Sequence, residues 1–211
     1  MKIILTAIVA LGLTVANAGA STVFDLRGDG KWAQTYKFSA DGINLTTSTG
    51  RQNGSGVTTT KGDNLYQWRN HGLGMKSSGD DKSKEIDGKN ANELVQFYFD
   101  QAVELVSITF GKVDSNDDFD FYFDDGRTFR EQADDIDIPG KGKYLFSSLW
   151  IGNLFGFGAD GHNDNFTIKS IEVVATITAV PLPAALPLYG GGLAILGYLG
   201  WRKRRRAAIN A

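Results

Sequence analysis

From Glu93 to Asp124 apolar and polar residues alternate with a period of two. Val95, Phe97 and Phe99 interleave with Leu94, Gln96 and Tyr98, and in Val103 to Phe110 the residues Val106, Ile108 and Phe110 share a face. Asp118 to Asp124 alternates strictly, Phe119, Phe121 and Phe123 against Asp118, Asp120, Tyr122 and Asp124. Side chains of a strand point alternately to its two faces, so these segments predict strands with one dry and one wet side. A helix would scatter the phenylalanines around its circumference.

Shorter β-prone runs surround this centre. Thr22 to Leu26, Trp32 to Phe38 and Ile43 to Thr47 are separated by the turn pairs Asp29-Gly30 and Asp41-Gly42, and Val57 to Thr60 and Leu65 to Trp68 follow a polar loop at Thr49 to Gly56. Asn70 to Asn92 is polar and glycine-rich and reads as an excursion over the surface. After an acidic loop, Asp134 to Gly142, come Tyr144 to Trp150 and a long final strand, Asn165 to Ile177. In that strand Phe166 and Ile168 keep one register and Ile171, Val173, Ala175 and Ile177 the other, so a bulge near Lys169 and Ser170 would put both sets on the same side. About ten short strands and no convincing helix predict an all-β fold, an antiparallel β-sandwich of jelly-roll type.

The two ends follow another pattern. Lys2, the apolar run Ile3 to Val15, and Ala16-Asn17-Ala18 or Ala18-Gly19-Ala20 have the n-region, h-region and small-residue cleavage site of a secretory signal peptide, assigned to residues 1–20. At the other end Val180-Pro181-Leu182-Pro183-Ala184 precedes an uncharged run, 185–201, and then Arg202-Lys203-Arg204-Arg205-Arg206. As a helix the run reaches about 25 Å, slightly short of the roughly 30 Å hydrocarbon core of a bilayer. The terminal cations stop translocation and stay on the cytoplasmic side, which leaves the preceding chain facing outward.

This order of short proline box, brief apolar helix and arginine cluster resembles the PEP-CTERM type of bacterial sorting signal, in its VPLPA-CTERM variant. The resemblance implies recognition of residues 179–211 by a membrane-embedded exosortase, cleavage near the box, and a precursor held in the inner membrane before the domain reaches the cell surface or the exterior. The alternative is a type I single-pass anchor. The passage from Gly72-Leu73-Gly74 through Glu85-Ile86-Asp87-Gly88 to Glu93-Leu94, with Asp160 to Phe166, also looks like the globular part of PEP-CTERM proteins, which implies a sandwich like those of carbohydrate-binding modules and assigns no ligand.

Charge and composition narrow the function of the domain expected at 21–178. Setting aside Lys2 and the five terminal cations leaves 16 lysines and arginines against 24 acids, a formal charge of −8. Such a surface repels phosphate backbones, so nucleic acid is a poor partner and a divalent cation a reasonable one. There is no cysteine, and the domain must be held by its core. His71 and His162 stand far apart among glycines, and no serine sits in a Gly-x-Ser-x-Gly elbow, so a non-enzymatic role is expected.

Calcium is the cofactor these acidic, glycine-rich loops would suit, because it takes six to eight oxygens from carboxylates and carbonyls. The preferred set is Asp87, Glu93 and Asp164, at a strand start and just before the final strand. The loop Asp114 to Asp118 begins like an EF-hand, but Phe119 stands where that loop needs glycine and Asp125 where it needs glutamate, so it reads as a hairpin with solvated acids. Asp134 and Asp135 with Asp137 form a weaker third set. For a saccharide such as exopolysaccharide, flat aromatic faces are needed, and Trp68 is preferred over Trp32, Tyr66 and Trp150. The competing expectation is a structural surface protein without ligand.

Overall fold

The computed structural model describes residues 19–54, 56–77, 82–89 and 91–176. The signal-peptide segment up to residue 18, the sorting box Val180 to Ala184, the apolar run and the Arg202 to Arg206 cluster lie outside the described residues. Among those described there is no helix long and apolar enough to cross a membrane.

The described chain is all-β, a large antiparallel sheet consistent with a β-sandwich. The strand that organises it is β9 (Glu93–Gly111), nineteen residues long. Its first half pairs with β4 (Ile43–Asn53), and β13 (Ile151–Gly158) lies on its other side. Its second half pairs with β14 (Asn165–Ala175) and, over Ser107 to Thr109, with β12 (Lys143–Leu145). Asp100 and Gln101, both exposed, mark the change between the two partner sets. What the sequence divides into two strands is therefore one continuous strand.

Outward from β13 lie β10 (Asp118–Asp124) and β11 (Phe129–Asp137), and outward from β14 lie β7 (Gly72–Lys76), β6 (Asn64–Trp68) and β2 (Trp32–Ala33). Four short or flanking strands complete it: β1 (Ser21–Asp25) and β8 (Ile86–Asp87) on β14, and β3 (Thr35–Ala40) and β5 (Gly56–Thr58) on β4.

The core is built from phenylalanines delivered by that alternation. Phe97 and Phe99 of β9, Phe119 and Phe121 of β10, Phe155 and Phe157 of β13 and Phe166 of β14 are all buried. Phe157 sits at their centre, its ring 5.4 Å from Phe97, 5.7 Å from Phe121, 6.1 Å from Phe119 and 6.3 Å from Phe146 between centroids. Tilted and edge-on pairs of this kind place the positive ring edge on a negative face and add to the burial itself. The bulge expected in the final strand is present: pairing with β9 shifts between Ile168 and Ser170, so Lys169 is the extra residue, and Ile168 and Ile171 both face the core.

Several expectations are corrected. Val106 is not part of the inward set with Ile108 and Phe110, because a second shift, opposite Glu172 and Val173, makes it the extra residue, and Leu105 is buried instead. The polar loop at 49–56 is largely strand, since β4 runs on to Asn53. The surface excursion at 70–92 contains β7, whose Leu73 and Met75 are fully buried in the core, while on its other face a Cβ at Gly74 would lie 1.9 Å from the carbonyl oxygen of Lys84, a backbone that only glycine admits. The middle of the expected wet face of β10 is dry: Asp120 and Tyr122 are as buried as the phenylalanines behind them, while Asp118 and Asp124 at its ends are partly exposed. The bare backbone of Gly156 makes that second layer possible, since its missing Cβ leaves room for Tyr122, Phe129 and Leu94 to close over β13.

Candidate metal centre and aromatic face

Strand parity places Asp118, Asp120 and Tyr122 on the face of β10 opposite its phenylalanines. Along β11, Phe119 pairs with Ile136 and Phe121 with Ala133, so the one residue between them on β10 faces two on β11. The surplus forms a bulge that sets Asp134 and Asp135 against Asp120, with Asp135 in the left-handed region at φ 50°. On the other side Asp120 pairs with Gly158, the last residue of β13, and the chain continues two residues to Asp160. Carboxylate oxygens of Asp120, Asp134, Asp135 and Asp160 thereby come within 4.8 Å of one another.

Hydrogen bonds fix the buried member. Asp120 accepts the side-chain amide of Gln52 on one oxygen and the Asp135 N–H, at 3.2 Å, on the other. A second group adjoins it. The turn closed by the Asp164 N–H on the Gly161 carbonyl, 3.1 Å, brings Asp164 against Asp118, and the loop 114–118 is tied to it where Asp117 accepts the Asn165 N–H at 3.1 Å. Asp117 is buried by these contacts and not solvated.

The electrostatics are one-sided. Burial, and then the carboxylates of Asp164 and Asp135, push Asp118 up to about 7. Burial pushes Asp120 up to about 7 as well, against the bonds from Gln52 and Asp135 that favour its charged form. Asp117, Glu131, Asp160 and Asp164 are raised in the same direction, burial first. Burial and the neighbouring Glu131 raise the Tyr122 phenol, whose O–H donates to Glu131 at 3.2 Å. The ion pairs of the described residues involve Asp25, Asp63, Glu85, Asp125 and Glu172, none of them in this group.

The carboxylates preferred from sequence are distributed differently. Glu93 is fully buried and accepts the main-chain N–H groups of Ser77 at 2.6 Å and Asp87 at 3.2 Å, which ties the segments flanking the 77–87 passage to the start of β9. Asp87, also buried, accepts the Lys89 N–H at 3.0 Å. Asp87 is thus joined to Glu93 through its main chain, while Asp164 faces Asp118. The gathering of Asp120 and Asp160 with Asp134 and Asp135 was not visible in the sequence, because a β-bulge and a strand end create it. The acidic runs containing Asp118 and Asp134 were the only signal.

Three of the four aromatic candidates meet on β2 and β6, at the opposite end of the strand order from β10 and β11. Trp32 pairs across strands with Tyr66, ring centroids 4.7 Å apart, and Trp68 stands edge-on to Tyr66 at 5.0 Å. Trp32 is 43% exposed. Trp68 is half-buried, its indole N–H donates to the Lys84 carbonyl at 3.1 Å, and the Lys112 ammonium lies 4.3 Å from its ring centre. The Lys84 ammonium lies 4.4 Å from the Tyr66 ring. His71 packs edge-on against Trp68, His162 is exposed, and Trp150 packs between Phe121 and Phe123 in the core. Comparison with protein families, with curated proteins and with solved structures finds no match for this chain.

Proposed function

We propose that the chain is an exported, exosortase-processed protein of the cell surface or extracellular matrix, whose domain, a jelly-roll sandwich without catalytic activity, binds exopolysaccharide. The sequence signals at the two ends support export. The observation that carries the binding reading is the ladder of Trp32, Tyr66 and Trp68, with the Trp32 ring open to solvent beside Tyr66. Pyranose rings present apolar C–H faces that stack on such rings, and flanking lysines supply donors to hydroxyls or acidic sugars.

Retention on immobilised exopolysaccharide of the producing cells tests it. Trp32→Ala is expected to weaken binding at least about tenfold with an unchanged melting temperature, because an exposed ring contributes little to the fold. Trp68→Ala is expected to lower both binding and stability. Specific observations also favour the ligand-free structural reading: the Trp68 N–H is already used, and two lysines cover rings of the ladder. Equal retention of wild type and Trp32→Ala would leave that structural reading standing.

A further inference from the structure

We propose that Asp120, Asp134, Asp135 and Asp160, with the buried Asp164 beside them, form a calcium site that clamps the β10–β11 hairpin to the end of β13 and the turn before β14. Oxygens within 4.8 Å of one another have separations no greater than the diameter of a shell of about 2.4 Å radius, the ordinary Ca–O distance. The donors come from three separate stretches of chain, so a bound ion would tie elements that sequence leaves far apart.

A second observation, independent of the cluster, points to a ligand. Asp164 is 3% exposed, its carboxylate bonds to Asp118 and feels the charges of Asp135 and Asp160, and its Oδ1 has no hydrogen-bond partner. The amide oxygen of Gln52, whose nitrogen is bonded to Asp120, is likewise buried without a donor. A buried acceptor left unpaired is costly, and more so when charged, so each of these calls for a donor or a cation. The titratable groups around Asp160 and Asp164 are the acids Asp118, Asp134 and Asp135 and the Tyr122 phenol, whose O–H already donates to Glu131. All these donors are hard oxygens with no histidine or cysteine among them, which selects calcium over zinc or copper. Mg²⁺ favours a smaller octahedral shell at about 2.1 Å and keeps its waters, so it fits this set less well.

The test uses the protein as produced by its cells, stripped with EDTA and melted in Ca²⁺, Mg²⁺ or NaCl at equal ionic strength, with calcium binding followed by calorimetry. One calcium per chain is expected, with a melting temperature several degrees above that in Mg²⁺ or NaCl, since an ion bound only to the native state stabilises it. Asp160→Asn and, separately, Asp134→Asn, both at exposed positions, are expected to weaken calcium at least about tenfold without unfolding the metal-free protein. Asp87→Asn is expected to leave the calcium response intact. An equal response to all three salts, or calcium affinity unchanged in Asp160→Asn and Asp134→Asn, overturns the proposal. So does loss of calcium binding in Asp87→Asn alone.

Discussion

Replacing Phe157 by alanine is expected to destabilise the domain by about 3 to 5 kcal/mol, the range for truncating a fully buried aromatic ring. Four rings lose a partner at once, Phe97, Phe119, Phe121 and Phe146, and they come from three segments that cannot all collapse into the space left behind. Domains of this size are stable by only about 5 to 15 kcal/mol, so the loss is a large share of the total. Tyr98 of β9, 54% exposed, is the control, and Tyr98→Ala is expected to change stability by less than about 0.5 kcal/mol. Urea denaturation of the two variants reads the difference. A loss below about 1 kcal/mol for Phe157→Ala would mean that the phenylalanine cluster is not the core.

In the absence of divalent metal the domain is expected to lose stability as pH rises from 5 to 8. Asp118 and Asp120 both titrate near 7 in the folded protein, against an ordinary 3.8. A carboxyl raised by folding contributes stability that is complete below its unfolded value and is lost as pH climbs through its folded one. For the fully buried Asp120 this is on the order of 2 to 3 kcal/mol between pH 5 and 8, about 5 to 10 °C in melting temperature. The depressed carboxyls, Asp25 beside Arg27, Asp100 beside Asn44, Asp125 at its turn amides and Glu172 beside Ser107, work in the opposite sense. Their contribution is lost only as pH falls below the ordinary carboxylate range, outside this window. Melting curves in EDTA across pH 5 to 8 check the slope, and Asp118→Asn or Asp120→Asn is expected to flatten it. A flat wild-type profile would mean that these carboxyls are already compensated.

Those carboxyls mark where the sequence stops being readable. Alternation is local, and it placed Phe97, Phe121 and Phe166 on strands and located the bulge at Lys169, because each conclusion needs only neighbours two or three positions away. Of the strands that escaped, β7 and β13 have glycine at positions that side chains would otherwise mark, whereas β11, which has no glycine, runs into the stretch read as an acidic loop. In sequence Gly74 and Gly156 look like turn punctuation, whereas in the fold they are where another part of the chain lies directly on the backbone. The acidic pocket escaped for a related reason. Asp118 and Asp120 alternate with phenylalanine as solvent-facing residues do, and only the closing of Gln52, Tyr122 and the β11 bulge over them makes that face an interior. Glu93 reads as a charge at a strand start, and it accepts main-chain amides of Ser77 and Asp87, which leave no mark in composition.

Intact mass spectrometry of the protein recovered from outside the producing cells tests the export and processing proposal most directly. The expected mass is that of a chain beginning at Gly19 or Ser21 and ending near the Val180 to Ala184 box, without the Arg202 to Arg206 cluster. Neutralising those five cations is expected to impair processing of the precursor or its retention in the inner membrane, since nothing then resists passage of the short apolar run. A mature chain that starts at the same place but still carries Arg202 to Arg206 would make the protein a single-pass anchor and remove the exosortase from the account. Full-length protein, with residues 1–20 retained and no material outside the cell, would contradict export itself.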